Sequence, residues 1–258
     1  GPKIRTEKFR EGKVELAIGD RFCLNTECPD GEGDEQQVGV TYKKLPQDVK
    51  AGNSLVLDDG RIVLQVVTVD GPRIECTVTV GGELSDNKGI NLKGGGLTAE
   101  VLTDKDRADI KTAALINCDY LAVSFPRNAD DMIQARKLLE AEGCKAGLVA
   151  KIERAEALEN IEEIIQVSEA IMIARGDLAI DIGHSEVPKV QLSLIKKCSQ
   201  YSKSVIVATQ MLESMIVNNT ATRAEINDIA TAIFQGADTV MLSAETAIGK
   251  FPIQAVTT

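Results

Sequence analysis

The hydrophobic pattern changes character once along the chain. Up to about residue 98, apolar residues fall in short alternating runs separated by turn formers. Lys13-Val14-Glu15-Leu16-Ala17-Ile18 is one such run. Ser54-Leu55-Val56-Leu57 ends in Asp58-Asp59-Gly60, and the pattern resumes from Arg61 to Val69. Asp70-Gly71-Pro72 makes a further turn before Arg73 to Val80. Alternation sends successive side chains to opposite faces of a strand, and Asp-Gly between apolar runs signals a hairpin. The stretch reads as a small all-β module. It closes on Gly94-Gly95-Gly96, which no Gly-Lys-Ser/Thr follows, so a hinge is a better reading than a phosphate loop.

From Thr98 the period lengthens. Thr103 to Asn117 is helical in pattern, with acidic residues at its start. Apolar strands then alternate with helices. The strands are Asp119 to Phe125, Gly147 to Glu153, Ala170 to Ala174, Ser204 to Thr209 and Thr239 to Ser243. The helices run near Ala129 to Glu142, Ala155 to Val167, Glu186 to Ser202 and Thr222 to Gln235, the last opened by a capping box at Thr222 and Glu225. Near-continuous apolar strands between helices imply a parallel sheet covered on both faces.

Each of these strands ends on polar groups: Ser124, Lys151 with Glu153, Asp177, Thr209, and Ser243 with Glu245. Polar residues gathered at the carboxyl ends of successive strands fit a (β/α)8 barrel with its site at that face. A doubly wound sheet fits the same periodicity, although no glycine-rich fingerprint marks a first βα turn. Only five strands are visible, so a closed barrel needs strands before Gly1 and most of a helix after Pro252. The expected fold is thus α/β, an incomplete TIM barrel over 99–258 preceded by a small all-β module over 6–98. Gly1 itself reads as the start of a cut chain.

Lys151 and Glu153 carry the sharpest chemical hint. Two residues apart on a strand, they project to one face about 6–7 Å apart. The next strand runs Ala170-Ile171-Met172-Ile173-Ala174 into Arg175-Gly176-Asp177. Glu153 and Asp177 could hold one divalent cation, with a lysine beside it, which outlines a site for an anionic substrate. Taken alone, Lys151 and Glu153 could equally be a strand-end pair, Asp177 a helix cap, and Thr209 and Ser243 hydroxyls bonding the backbone.

Composition narrows the classes. A net charge of −10 over 258 residues argues against nucleic-acid or anionic-membrane binding. No apolar run is long enough to span a bilayer, and no signal-peptide pattern opens the chain. Six cysteines form no CxxC pair and have no histidine cluster, so they read as free core thiols of a reducing cytoplasm. His184 is the sole histidine, which leaves little room for Ser-His-Asp or Cys-His chemistry.

Eight motifs together resemble one family. They are Gly-Pro-Lys-Ile-Arg at 1–5, Lys-Gly-Ile-Asn at 88–91, Val-Ser-Phe at 123–125 and Ala-Lys-Ile-Glu-Arg-Ala-Glu at 150–156. There follow Ala-Arg-Gly-Asp-Leu at 174–178, Ala-Thr-Gln-Met-Leu-Glu-Ser-Met at 208–215, Thr-Arg-Ala-Glu at 222–225 and Met-Leu-Ser-Ala-Glu-Thr-Ala at 241–247. In this order, across nearly the whole chain, they resemble pyruvate kinase; the first and last look like one bacterial branch. The resemblance implies phosphoryl transfer from phosphoenolpyruvate to ADP, giving pyruvate and ATP, the last step of glycolysis. It implies Mg2+ (or Mn2+) on Glu153 and Asp177, and Lys151 against the transferring phosphoryl group. It also implies the Gly176 and Asp177 amides on the substrate carboxylate, with Thr209 lining the substrate site. Thr209 and Ser243 would lie on the proton route, Arg5 on phosphate oxygens, and Lys88 on the nucleotide. Only the resemblance implies that residues 1–5 end a barrel strand and that the all-β module over 6–98 is an inserted lid. A cytoplasmic homotetramer is the implied assembly.

Departures are few. Lys3 stands where K+-dependent members usually carry glutamate, and its ammonium could replace the ion, so K+ is not expected to be required. Ala179 replaces a usual glycine, and Asn91-Leu92-Lys93 lacks a common proline. Two other readings stay open: a metal-dependent enolate lyase or aldolase on a similar barrel, and an inactive ligand-binding fragment.

Overall fold

The computed structural model describes residues 4–258. They fall into two compact units, one reaching to Glu100 and the other Val101–Thr258. Lys3 lies outside the described residues.

The first unit is β-rich. Its strands are β1 (Lys13–Leu16), β2 (Arg21–Asn25), β3 (Gln37–Gly39), β4 (Ser54–Leu57), β5 (Ile62–Asp70), β6 (Arg73–Val80), β7 (Gly82–Ser85) and β8 (Ile90–Leu92), with a single helical turn, α1 (Leu45–Asp48). Six strands form one sheet in the order β3-β2-β6-β5-β4-β8, and β1 pairs with β7. The core is Phe22, Leu24, Leu55, Leu57, Ile62, Leu64 and Ile74, all fully buried. Each such side chain contributes about 1.5–3 kcal/mol on burial. The turn between β4 and β5 holds Asp58, Asp59 and Gly60 all at positive φ. That is the left-handed backbone the Asp-Gly signal anticipates. Strands β2, β3, β7 and β8 lie outside the alternating runs read from the sequence.

The second unit alternates. After α2 (Asp104–Leu115) come β9 (Tyr120–Val123), α3 (Ala129–Ala141), β10 (Gly147–Ile152), α4 (Ala155–Glu159), α5 (Ile161–Val167), β11 (Ala170–Ala174), α6 (Arg175–Ile182), α7 (Val187–Gln200), β12 (Ser204–Ala208), α8 (Arg223–Gln235), β13 (Thr239–Met241), α9 (Ala244–Ala247) and α10 (Pro252–Thr257). The five strands are parallel and lie in strict chain order, β13-β12-β11-β10-β9. A doubly wound sheet reverses its order at a switch point; this one does not, so that alternative falls. One-way succession is what a barrel wall requires.

Three expectations change. The helix expected over Ala155 to Val167 is two helices, broken at Asn160, whose ψ of 20° leaves the helical range. Asp177 is not on a strand: α6 starts directly at Arg175, so Asp177 lies in its first turn. Glu245 likewise lies in the single turn α9 rather than on β13.

Both faces of the parallel sheet are buried, each by its own set of residues. Leu148, Ala150, Ile152, Ile171, Ile173, Val205 and Val207 pack in one cluster with helix residues such as Leu139, Ile164 and Leu194. Val149, Ala170, Met172 and Ala208 form a separate cluster. By alternation Lys151 and Glu153 share the face of Val149. The site residues of β10 therefore point away from the helices, to the inner side of the wall.

Candidate active site

Strand β10 delivers two of the site residues by simple period. Lys151 pairs in register with Met172 of β11, so it sits at mid-sheet beside an apolar neighbour. Its Nζ lies 2.7 Å from Glu153 Oε1 and donates to Ser124 Oγ at 3.0 Å. The Glu153 side chain is 1% exposed. Its other oxygen, Oε2, accepts the backbone N–H of Phe125 at 2.8 Å. Burial raises the Glu153 carboxyl above the usual range, against the pull of the Lys151 ammonium, and the negative charge of Asp177 pushes the same way as burial. The Glu153 carboxylate, just past β10, thus feels the Asp177 carboxylate in the first turn of α6, with the Lys151 ammonium paired to Glu153.

Phe125 reaches Glu153 from an unusual backbone. Its φ is 57°, the left-handed region that a bulky residue seldom enters. The end of β12 goes further: Thr209 (φ 70°) and Gln210 (φ 54°) are consecutive left-handed residues. Strain of this kind costs of order 1–3 kcal/mol per residue and persists only where the surroundings fix it. Thr209 Oγ1 accepts the Gly176 N–H at 2.9 Å and donates to Ala208 O at 2.7 Å. Arg175 donates to the Thr209 carbonyl at 2.7 Å. At the next strand end, the Ser243 N–H donates to Glu245 Oε2 at 2.7 Å, and Glu245 Oε1 accepts the Leu212 N–H at 3.0 Å. Glu245, 1% exposed, so ties the segment after β12 to the end of β13.

The structure therefore brings Lys151 to Glu153, sets Asp177 within electrostatic reach, and joins Gly176 to Thr209. Ser243 lies at the end of the strand neighbouring β12. Arg5 and Lys88 belong to the first unit. There Arg5 bridges Gly89 and donates from Nη1 to Asn87 O at 2.8 Å, while Lys88 Nζ pairs with the buried Asp58 at 2.8 Å. Sequence reasoning passed over the Phe125 amide, Arg175 and the double anchoring by Glu245. All three stand inside the motifs at 123–125, 174–178 and 241–247, but their hydrogen-bond partners are distant in sequence and no local pattern marks them.

The donor set suits a hard divalent ion. Glu153 and Asp177 offer carboxylate oxygens, the ligands such ions prefer. Among the described residues no three His, Cys, Asp or Glu side chains cluster as a metal cage. An ion held here would take its remaining oxygens from ligand and water, the usual habit of Mg2+.

The family model for the barrel domain of pyruvate kinase matches residues 1–256. The chain belongs to the pyruvate kinase family. It is 54% identical over 259 residues to pyruvate kinase II of Salmonella typhimurium, covering 99% of this chain and 54% of that protein. It is 53% identical over 259 residues to pyruvate kinase of Haemophilus influenzae, with the same coverage of each. The pyruvate kinase of Thermotoga maritima is 45% identical over 256 residues, again 99% of this chain and 54% of that protein. The chain spans about half the length of the curated relatives it matches. The β10 and α6 groups described above fall within the part matched by the pyruvate kinase barrel.

Proposed function

We propose that the protein carrying this chain is a phosphotransferase that moves the phosphoryl group of phosphoenolpyruvate to ADP, giving pyruvate and ATP. The observation that carries this reading is the buried Glu153 beside Lys151, with Asp177 close enough to raise its carboxyl. A β-phosphate oxygen of ADP bonds to phosphorus as the bond to the enol oxygen breaks. The enolate left behind takes a proton on its methylene carbon. Lys151, held by Ser124 and Glu153, places a fixed positive charge against the transferring group. Mg2+ or Mn2+, held by Glu153 and Asp177, supplies positive charge for the substrate carboxylate and enolate oxygens when bound.

The Gly176 and Asp177 amides, at the start of α6, bind the substrate carboxylate; Thr209 Oγ1 then yields its bond from Gly176. Thr209 and Ser243 lie on the proton route. Arg5 meets phosphate oxygens, and Lys88 exchanges Asp58 for the nucleotide. The β-rich unit acts as a lid on an eight-stranded barrel, and the working protein is a cytoplasmic homotetramer. Among the described residues no helix is long and apolar enough to cross a membrane.

ATP formation from phosphoenolpyruvate and ADP, followed by a coupled assay, tests the reading. Carbon–carbon cleavage without ATP would favour the lyase alternative, and binding of phosphoenolpyruvate without turnover the inactive one. Lys3 is proposed to stand in for a monovalent cation. Replacing K+ by a large organic cation should leave most of the activity, and its loss would refute that role.

A further inference from the structure

Two adjacent left-handed residues, Thr209 and Gln210, follow β12, and neither is a type that favours this backbone. One side chain gathers the carbonyls around them. Arg175 donates from Nη2 to Thr209 O at 2.7 Å, with Gln210 O at 3.4 Å, and from Nε to Ala208 O at 3.4 Å. Its Nη1 is held by both oxygens of Asp228 on α8, at 2.8 and 2.7 Å. The Arg175 side chain is 11% exposed, and that carboxylate pairs its buried charge. Only a guanidinium carries enough donors, in a rigid plane, to serve three carbonyls and an anion together. Arg175 also directly precedes Gly176, whose amide bonds the Thr209 hydroxyl. The chain thus closes a small circuit: Asp228 to Arg175, Arg175 to the Thr209 carbonyl, Thr209 Oγ1 to the Gly176 amide, and Gly176 back to Arg175.

We propose that Arg175 and Asp228 are positioning residues that hold the left-handed Thr209–Gln210 turn and thereby aim the Thr209 hydroxyl. The inference rests on the proposed phosphotransferase reading, in which Thr209 serves proton delivery to the enolate. Neither residue touches substrate; both act through Thr209. Loss of the clamp releases the turn toward ordinary backbone angles and moves Oγ1. Misplacement by about 1 Å can cost up to about 100-fold in rate.

The test uses the full protein, with three readouts: steady-state kinetics, exchange of pyruvate methyl hydrogens with D2O, and amide hydrogen exchange at Gly176. Asp228→Asn should lower kcat by about 10- to 100-fold while KM for phosphoenolpyruvate moves by less than about 3-fold. Methyl exchange should fall with kcat, and Asp228→Glu should recover part of both. Gly176 amide exchange should quicken by about 10-fold as its acceptor loosens. In a cycle of Arg175→Lys, Thr209→Val and the double variant, the double should lose no more than the worse single. This cycle decides the matter if Asp228→Asn does not fold. Additive losses, or wild-type kcat and Gly176 exchange in folded Asp228→Asn, would overturn the clamp. A wild-type protein that makes no ATP would instead overturn the reaction, and Gly176 exchange would still judge the clamp.

Discussion

The ends of β10 and β12 present polar groups in opposite ways. At β10 the backbone stays regular to Ile152, and Lys151 and Glu153, the latter one residue past the strand, face inward because the strand period puts them there. They bond each other and two groups from the end of β9. At β12 the backbone leaves the strand through two left-handed residues. That segment is fastened at three points: Arg175 on Ala208 to Gln210, Glu245 on Leu212, and Glu225 on Ser214. A site residue can thus be placed by periodicity at little cost, or by tertiary fastening against local preference. The first should tolerate changes around it; the second should fail when any fastening goes.

The largest effect should come from removing the chemistry at the regular end. Lys151→Met keeps the stem and deletes the ammonium. The expected outcome is a fall in kcat of about 10^3-fold with phosphoenolpyruvate binding largely kept, because charge on the transferring group is met only during reaction. Near-normal kcat would remove Lys151 from its role. Because the ammonium also pairs with the buried Glu153, the variant should lose some stability too, and a denaturation curve separates that loss from the fall in kcat.

At the fastened end, stability should respond first. Glu245→Ala leaves the Leu212 and Ser243 amides without their buried acceptor, at about 2–4 kcal/mol for the two. Denaturant midpoints, at unchanged slope, measure this; a loss under about 1 kcal/mol would mean the segment is held without Glu245.

The smallest effect is a pH dependence. Burial pushes the Glu225 carboxyl up, but hydrogen bonds from Ser214 and Thr222 outweigh it and hold the group at about 2. A folded value below the unfolded one, about 4.3, means stability that is present above pH 4.3 and lost as pH falls through about 2. Glu225 is only half-buried, so the contribution should be on the order of 1 kcal/mol, the usual worth of a helix cap. Glu225→Gln should flatten stability between pH 5 and 2, followed by denaturation at each pH. An unchanged profile would show that Glu225 does not secure Ser214.

The same contrast explains what could be read from the chain. The β10 pair, the capping box at Thr222 and Glu225, and the helix–strand alternation are all local patterns, visible within a few residues. The fastenings join residues far apart: Arg175 with Asp228, and Glu245 with Leu212. Thr209 and Gln210 carry no glycine or asparagine, so turn chemistry gave no warning of their backbone. Asp177 was misplaced on a strand because α6 follows β11 with no linker between them. Arg5 and Lys88 were named through resemblance alone, and their bonds to Asn87 and Asp58 had no signature.

Phe125 anchors Glu153 through its main-chain amide. A bond of that kind belongs to the position and not to the side chain. Almost any residue that accepts a left-handed angle retains it; proline alone deletes the donor, and it also forbids the angle. Position 125 is therefore a place beside the buried Glu153 carboxylate where a spectroscopic label, such as a fluorinated phenylalanine, can be installed without editing that carboxylate's hydrogen bond.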